Sequence, residues 1–143
     1  MNDKNLKIFV VDDDIFHLHA VKKVLSNLGH QDVSVYSNGV DCMMDINQQP
    51  DIIFLDHNMD HYTGYEVLRK VKRFNPNIIV IMLSAQEEIK IAVDSLKHGA
   101  FDYLMKGADL KDKIENVMKK IEDFHNIIET RKPSLLKTIS KYF

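Results

Sequence analysis

The chain of 143 residues has one cysteine, Cys42, three prolines and no tryptophan. A lone cysteine excludes an intramolecular disulfide and a cysteine-rich metal site, so stability has to come from a hydrophobic core, for which this length suffices as a single domain. The five glycines, Gly29, Gly39, Gly64, Gly99 and Gly107, form neither a dinucleotide fingerprint nor a P-loop, which leaves nucleotide binding unsupported. There is no long block of Lys and Arg, and the formal net charge is −2, which argues against a nucleic-acid-binding surface or a membrane-adsorbing face. The opening Met-Asn-Asp-Lys-Asn-Leu-Lys lacks the apolar segment of a secretory signal, so the expected location is cytoplasmic. No internal repeat or low-complexity segment is present.

What the sequence does have is a set of apolar runs with reactive ends. Val10-Val11 runs into Asp12, Asp13 and Asp14; Ile52 to Leu55 ends at Asp56; Ile78 to Leu83 ends at Ser84; Phe101 to Met105 ends at Lys106. These read as buried strands, with a further short strand at Val33 to Tyr36. Amphipathic helical segments alternate with them. Asp14 is a cap for a helix carrying Ile15, Leu18, Val21, Leu25 and Leu28 and closed by Gly29; Asn38 caps a helix through Asn47. Thr63 and Glu66 have the capping-box form ahead of Val67, Leu68 and Val71. Glu87 to His98 is a fourth helix, and Asp109 caps a last one bearing Leu110, Ile114, Val117, Met118, Ile121, Phe124 and Ile128. Five βα units predict an α/β fold with a doubly wound parallel sheet, in which the carboxyl ends of the strands share one ligand-binding edge.

On that edge Asp12, Asp13 and Asp56 repel one another by roughly 4 kcal/mol per pair at 4 Å and intermediate dielectric. A hard divalent cation such as Mg²⁺, or Mn²⁺, offsets this and accepts phosphoryl oxygens as well. Lys106 and the Ser84 hydroxyl supply further donors, so the set suits phosphoryl transfer with a carboxylate as nucleophile.

Val11-Asp12-Asp13-Asp14, Leu55-Asp56-His57-Asn58-Met59, Gly64, Ser84-Ala85, Tyr103 and Lys106, in this order and spacing, resemble the receiver domain of bacterial two-component response regulators over about residues 7–121. The resemblance implies a flavodoxin-like five-stranded sheet of order 2-1-3-4-5 flanked by five helices. It implies Asp56 as the acceptor of a phosphoryl group from a sensor histidine kinase or phosphotransfer protein. Mg²⁺ would be held by Asp13, Asp12, Asp56 and the backbone carbonyl of Asn58. Ser84 and Lys106 would contact the phosphoryl group, Ser84 and Tyr103 would be the switch, and Asn58 and Gln86 would stand where the family tunes dephosphorylation. The output would be a downstream protein or a second copy, met through the face of the fourth helix, fifth strand and fifth helix. The chain departs from the family pattern at Asp60 and Gly107, both usually proline, and at Thr63, usually aspartate; a trans Lys106–Gly107 bond and a rearranged loop are expected there.

Each residue also has a plainer reading. Asp14 alone is a helix cap, Ser84 opens a capping-box pattern with Glu87, Lys106 is a solvated lysine and Tyr103 a strand aromatic. His57 and His61 read as loop residues rather than zinc ligands, and Met43, Met44 and Met59 as packing residues. The function expected is a stoichiometric, self-dephosphorylating phosphoacceptor rather than a turnover enzyme. The alternatives are an aspartate-nucleophile phosphatase of haloacid dehalogenase type and an unphosphorylated interaction module of receiver fold. The receiver is assigned to residues 1–130. Residues 131–143, with Arg131, Lys132, Lys137 and Lys141 and an apolar stripe after Pro133, are expected to form a basic amphipathic tail or linker, with a disordered chain end as the alternative. No nucleic-acid-binding module follows, so the chain reads as a stand-alone receiver or a piece of a longer regulator.

Overall fold

The computed structural model describes residues 5–59, 62–85 and 89–140, with residues 131–140 as backbone only. The apolar runs form five strands: β1 (Ile8–Val11), β2 (Val33–Tyr36), β3 (Ile52–Asp56), β4 (Ile79–Ser84) and β5 (Asp102–Met105). All pair in parallel, as the alternating pattern predicts, and in the order β2-β1-β3-β4-β5 that the resemblance implies. The central strands β1, β3 and β4 are buried throughout, whereas β2 and most of β5, at the edges, are half-buried. That difference follows from position, because a parallel strand covered by helices on both faces has no polar side to present.

Helices α1 (Ile15–Asn27), α2 (Gly39–Met44), α3 (Gly64–Phe74), α4 (Ile89–Lys97) and α5 (Leu110–Ser140) join the strands. Alternate strand residues point to opposite faces. Ile8, Val10, Ile52, Phe54, Ile81 and Leu83 pack with Leu18, Val21 and Leu25 of α1 and Ile114, Val117 and Ile121 of α5. Phe9, Val11, Ile53, Leu55, Val80 and Met82 pack instead with Cys42 of α2 and Val67, Leu68 and Val71 of α3. No residue of α4 belongs to either core.

The expected caps at Asp14, Asn38 and Thr63 are in place: each side chain accepts a backbone N–H, from Phe16, Asp41 and Glu66. Asp109 accepts the Lys113 N–H through its carbonyl, while its carboxylate pairs with the Lys113 ammonium at 3.5 Å.

Three expectations need correction. The helix from Asn38 stops at Met44 rather than Asn47, followed by a 3-10 turn at Ile46–Gln48. Pro50 disfavours helical backbone at Gln49, which instead takes φ 56. Met44 is 74 % exposed rather than packed: Gly39 and Cys42 form the buried side of this short helix. Met43 and Met59 do pack against the second core. On α5, Phe124 and Ile128 are exposed, although Ile114, Val117, Met118 and Ile121 are buried. The fourth helix is described from Ile89, and Asp60, His61, Gln86 and Glu87 lie outside the described residues. Among the described residues no helix is long and apolar enough to cross a membrane.

Candidate functional site

The parallel register brings the strand ends to one edge. Asp56 is the last residue of β3 and Ser84 the last of β4, and Lys106 directly follows β5. Backbone bonds hold the segments that leave the sheet there: His57 N–H donates to Leu83 O (2.8 Å) and Lys106 N–H to Ser84 O (2.7 Å). Asp12 continues β1, its N–H donating to Tyr36 O at 3.0 Å. Gly64 lets the return of the chain close tightly behind Asp56, because a Cβ there would strike the Asp56 carbonyl oxygen and lie 2.8 Å from His57 Cα.

The expected residues converge. Carboxylate oxygens of Asp12, Asp13 and Asp56 lie within 4.8 Å of one another, Asp12 and Asp56 buried and Asp13 exposed. Between the two buried acids sits the Lys106 ammonium, 2.7 Å from Asp12 Oδ2 and 3.2 Å from Asp56 Oδ1, its own side chain only 8 % exposed. Asp12 Oδ1 accepts the Asp14 N–H at 2.9 Å, which fixes the carboxylate, and Asp56 Oδ1 accepts the Asn58 N–H at 3.3 Å. Ser84 is buried and Tyr103 half-buried against the second core.

Burial, and after it the Asp12 carboxylate, pushes the Asp56 carboxyl up to about 7 against the opposing pull of Lys106 and the Asn58 N–H. Burial also works against the charge of Lys106, but its hydrogen bond to Asp12 and the fields of Asp56 and Asp12 hold its pKa above the ordinary lysine value. Three acids and one ammonium leave a net negative pocket, and its donors are hard oxygens, a set suited to a small divalent cation.

The sequence matches the family model of the response regulator receiver domain over residues 8–119. The chain belongs to that family. Among its curated relatives, the transcriptional regulatory protein ZraR of Klebsiella oxytoca is 34% identical over 116 residues, which cover 80% of this chain and 26% of that protein. The chain thus spans about a quarter of that relative's length. Among solved structures, a CheY-like receiver from Methanospirillum hungatei superposes with a TM-score of 0.76 at 27% identity, covering 85% of this chain and 98% of that one. The beryllofluoride-activated receiver of DrrB, a response regulator of Thermotoga maritima, gives 0.73 at 30% identity, covering 82% and 97%.

Two of the three departures can be followed, since Asp60 lies outside the described residues. Thr63 caps α3 in place of the usual aspartate. Among the described residues no peptide bond is cis, so Lys106–Gly107 is trans as expected, with the lysine still on the two acids. The plainer reading of Lys106 as solvated is overturned by its burial. Ser84 closes β4; Glu87, its capping-box partner, lies outside the described residues. Sequence reasoning missed the N–H groups of Asp14 and Asn58 as donors to the acids, and the His57 Nδ1–Asn58 Oδ1 contact at 3.2 Å. Backbone donors leave no residue-type signal.

Proposed function

We propose that this chain is a phosphoacceptor switch in which Asp56 takes a phosphoryl group from the phosphohistidine of a sensor histidine kinase or a phosphotransfer protein. The observation that carries the reading is the bridge made by Lys106 between Asp12 and Asp56, acids from two different strands. A carboxylate oxygen of Asp56 attacks phosphorus, an O–P bond forms, the N–P bond breaks and its electron pair stays on the imidazole of the donor. Lys106 and Asn58 both address Oδ1, so Oδ2 lies outside those two interactions. Negative charge gathers on the phosphoryl oxygens as the transfer proceeds; the Lys106 ammonium is within reach to follow it, and the Ser84 hydroxyl is the second donor.

Asp12, Asp13, Asp56 and the Asn58 carbonyl would hold Mg²⁺ or Mn²⁺, in keeping with the clustered carboxylates. A bound divalent cation supplies positive charge to the phosphoryl oxygens. Exposed Asp13 leaves the site open to a donor protein, and beside it Ile15 and Phe16, 63 % and 83 % exposed, offer that donor apolar contact. On the output side Ile89, Val93, Tyr103 and Lys113 line a groove of about 450 Å³ between α4, β5 and α5, fit for a downstream protein or a second copy. The phosphoryl group then leaves by self-catalysed hydrolysis, so the chain is consumed and regenerated rather than turning over an external substrate.

Residues 131–143 are proposed as an appended amphipathic segment rather than part of the receiver. Helical backbone continues through Ser140, so the boundary at residue 130 falls within α5.

The test is labelling with acetyl phosphate in Mg²⁺, read by intact mass. Wild type takes up close to one phosphoryl group per chain and Asp56→Asn none; persistent labelling of the variant contradicts the assignment. Excess phosphomonoester separates this function from a phosphatase, which would release many equivalents of phosphate per chain.

A further inference from the structure

Helix α4 is held differently from its neighbours. Of its nine residues Ser95 alone is buried, while Ile89, Val93 and Leu96 are 79 %, 41 % and 47 % exposed. Among the described residues the buried Ser95 hydroxyl has no hydrogen-bond partner, which disfavours rather than secures this placement. Between α4 and α3 lies a cleft of about 220 Å³ lined by His57, Tyr65, Ile91, Asp94 and Ser95.

One polar contact spans the two helices. The Tyr65 hydroxyl, in the first turn of α3, is 2.7 Å from His98 Nε2, just past the end of α4. His98 Nδ1 lies 2.7 Å from the Asp94 carbonyl, which only accepts, so Nδ1 carries a proton and Nε2 is left to pair with the Tyr65 hydroxyl. The two rings meet edge to face, with centroids 4.8 Å apart, and the Arg69 guanidinium lies 6.0 Å from the Tyr65 ring. Tyr65 stands on a firm base, since α3 buries Gly64, Val67, Leu68 and Val71.

We infer that the Tyr65–His98 hydrogen bond is a latch that holds α4 against α3 in the unmodified protein, where the other helices rely on apolar packing. Breaking it frees α4 without opening either hydrophobic core. The latch stands on geometry alone; its use, to set how readily α4 shifts when Asp56 is modified, rests on the receiver reading.

Amide hydrogen exchange on the intact chain, without phosphoryl donor, tests the latch. Tyr65→Phe keeps the ring and removes the hydroxyl. Exchange across residues 89–97 should accelerate roughly fivefold, the factor that corresponds to a hydrogen bond of about 1 kcal/mol, while α1 and the rest of α3 keep their rates. In a His98→Ala background Tyr65→Phe should add nothing further. Unchanged exchange in α4, an equal acceleration in α1 and α3, or additive effects in the double variant would each overturn the latch. A second arm titrates beryllofluoride in Mg²⁺: Tyr65→Phe should reach its shifted state at lower concentration than wild type, and an equal or higher midpoint would refute that use of the latch. A wild type that does not respond at all would refute the receiver reading and leave the exchange result standing.

Discussion

Helices α3 and α4 both follow strands that end at the site, yet they are built for opposite purposes. Helix α3 begins where Gly64 presses on the backbone of Asp56 and His57, is capped by Thr63, and drives Val67, Leu68 and Val71 into the core. Helix α4 follows Ser84 and puts no residue into either core. One is a buttress behind Asp56, the other a loosely seated element beside the groove between α4, β5 and α5. A switch needs both, because a differential contact at the site shifts a population only if some element has two placements of similar free energy.

Substitutions break this contrast most plainly. Leu68→Ala should destabilise the protein by about 2–5 kcal/mol in chemical denaturation, through lost burial and the cavity left behind, while Leu96→Ala should stay within about 0.5 kcal/mol. Comparable losses at the two positions would show that α4 is packed after all.

Charge at the site gives the next effect. The Asp56 carboxyl is raised to about 7, above its unfolded value of about 3.9, so the native state binds more protons than the unfolded chain between those values. The metal-free protein should therefore lose stability as pH rises through that window, by up to about 1.4 kcal/mol per pH unit. Lys106, also raised, acts only at alkaline pH: its contribution is retained below the ordinary lysine range and lost as pH climbs through its higher native value. Asp56→Asn should flatten the slope and stabilise the metal-free protein at pH 8 by about 1–3 kcal/mol. Saturating Mg²⁺ should raise the melting temperature of wild type and much less that of Asp13→Ala, since the exposed acid is a proposed ligand. Equal melting shifts would remove Asp13 from the ligand set.

Loss of a cap costs less than opening the core or charging the site. Thr63→Ala should cost about 1 kcal/mol, because the Glu66 N–H loses its acceptor.

Much of this molecule was legible before its structure. Strand ends carrying Asp12, Asp56, Ser84 and Lys106 are marked by where apolar runs stop, and parallel topology gathers such ends by necessity. Caps at Asp14, Asn38 and Thr63 are local chemistry and sit where the sequence places them. What escaped was of two kinds. Helical periodicity in Phe124 and Ile128 says which face they share but not that the sheet has ended beneath them, so they are exposed. Pairings such as Tyr65 with His98, or the Asn58 N–H with Asp56, depend on tertiary distance and on backbone groups that every residue carries.

The central claim is that a phosphoryl group on Asp56 moves α4 and leaves α3 in place. Backbone and Tyr103 ring resonances recorded with and without beryllofluoride in Mg²⁺ test it directly. The prediction is that wild-type signals from residues 89–97 and Tyr103 shift while those from residues 66–74 hold, with no change in Asp56→Asn. Equal shifts in both helices, or the same response in Asp56→Asn, would contradict it.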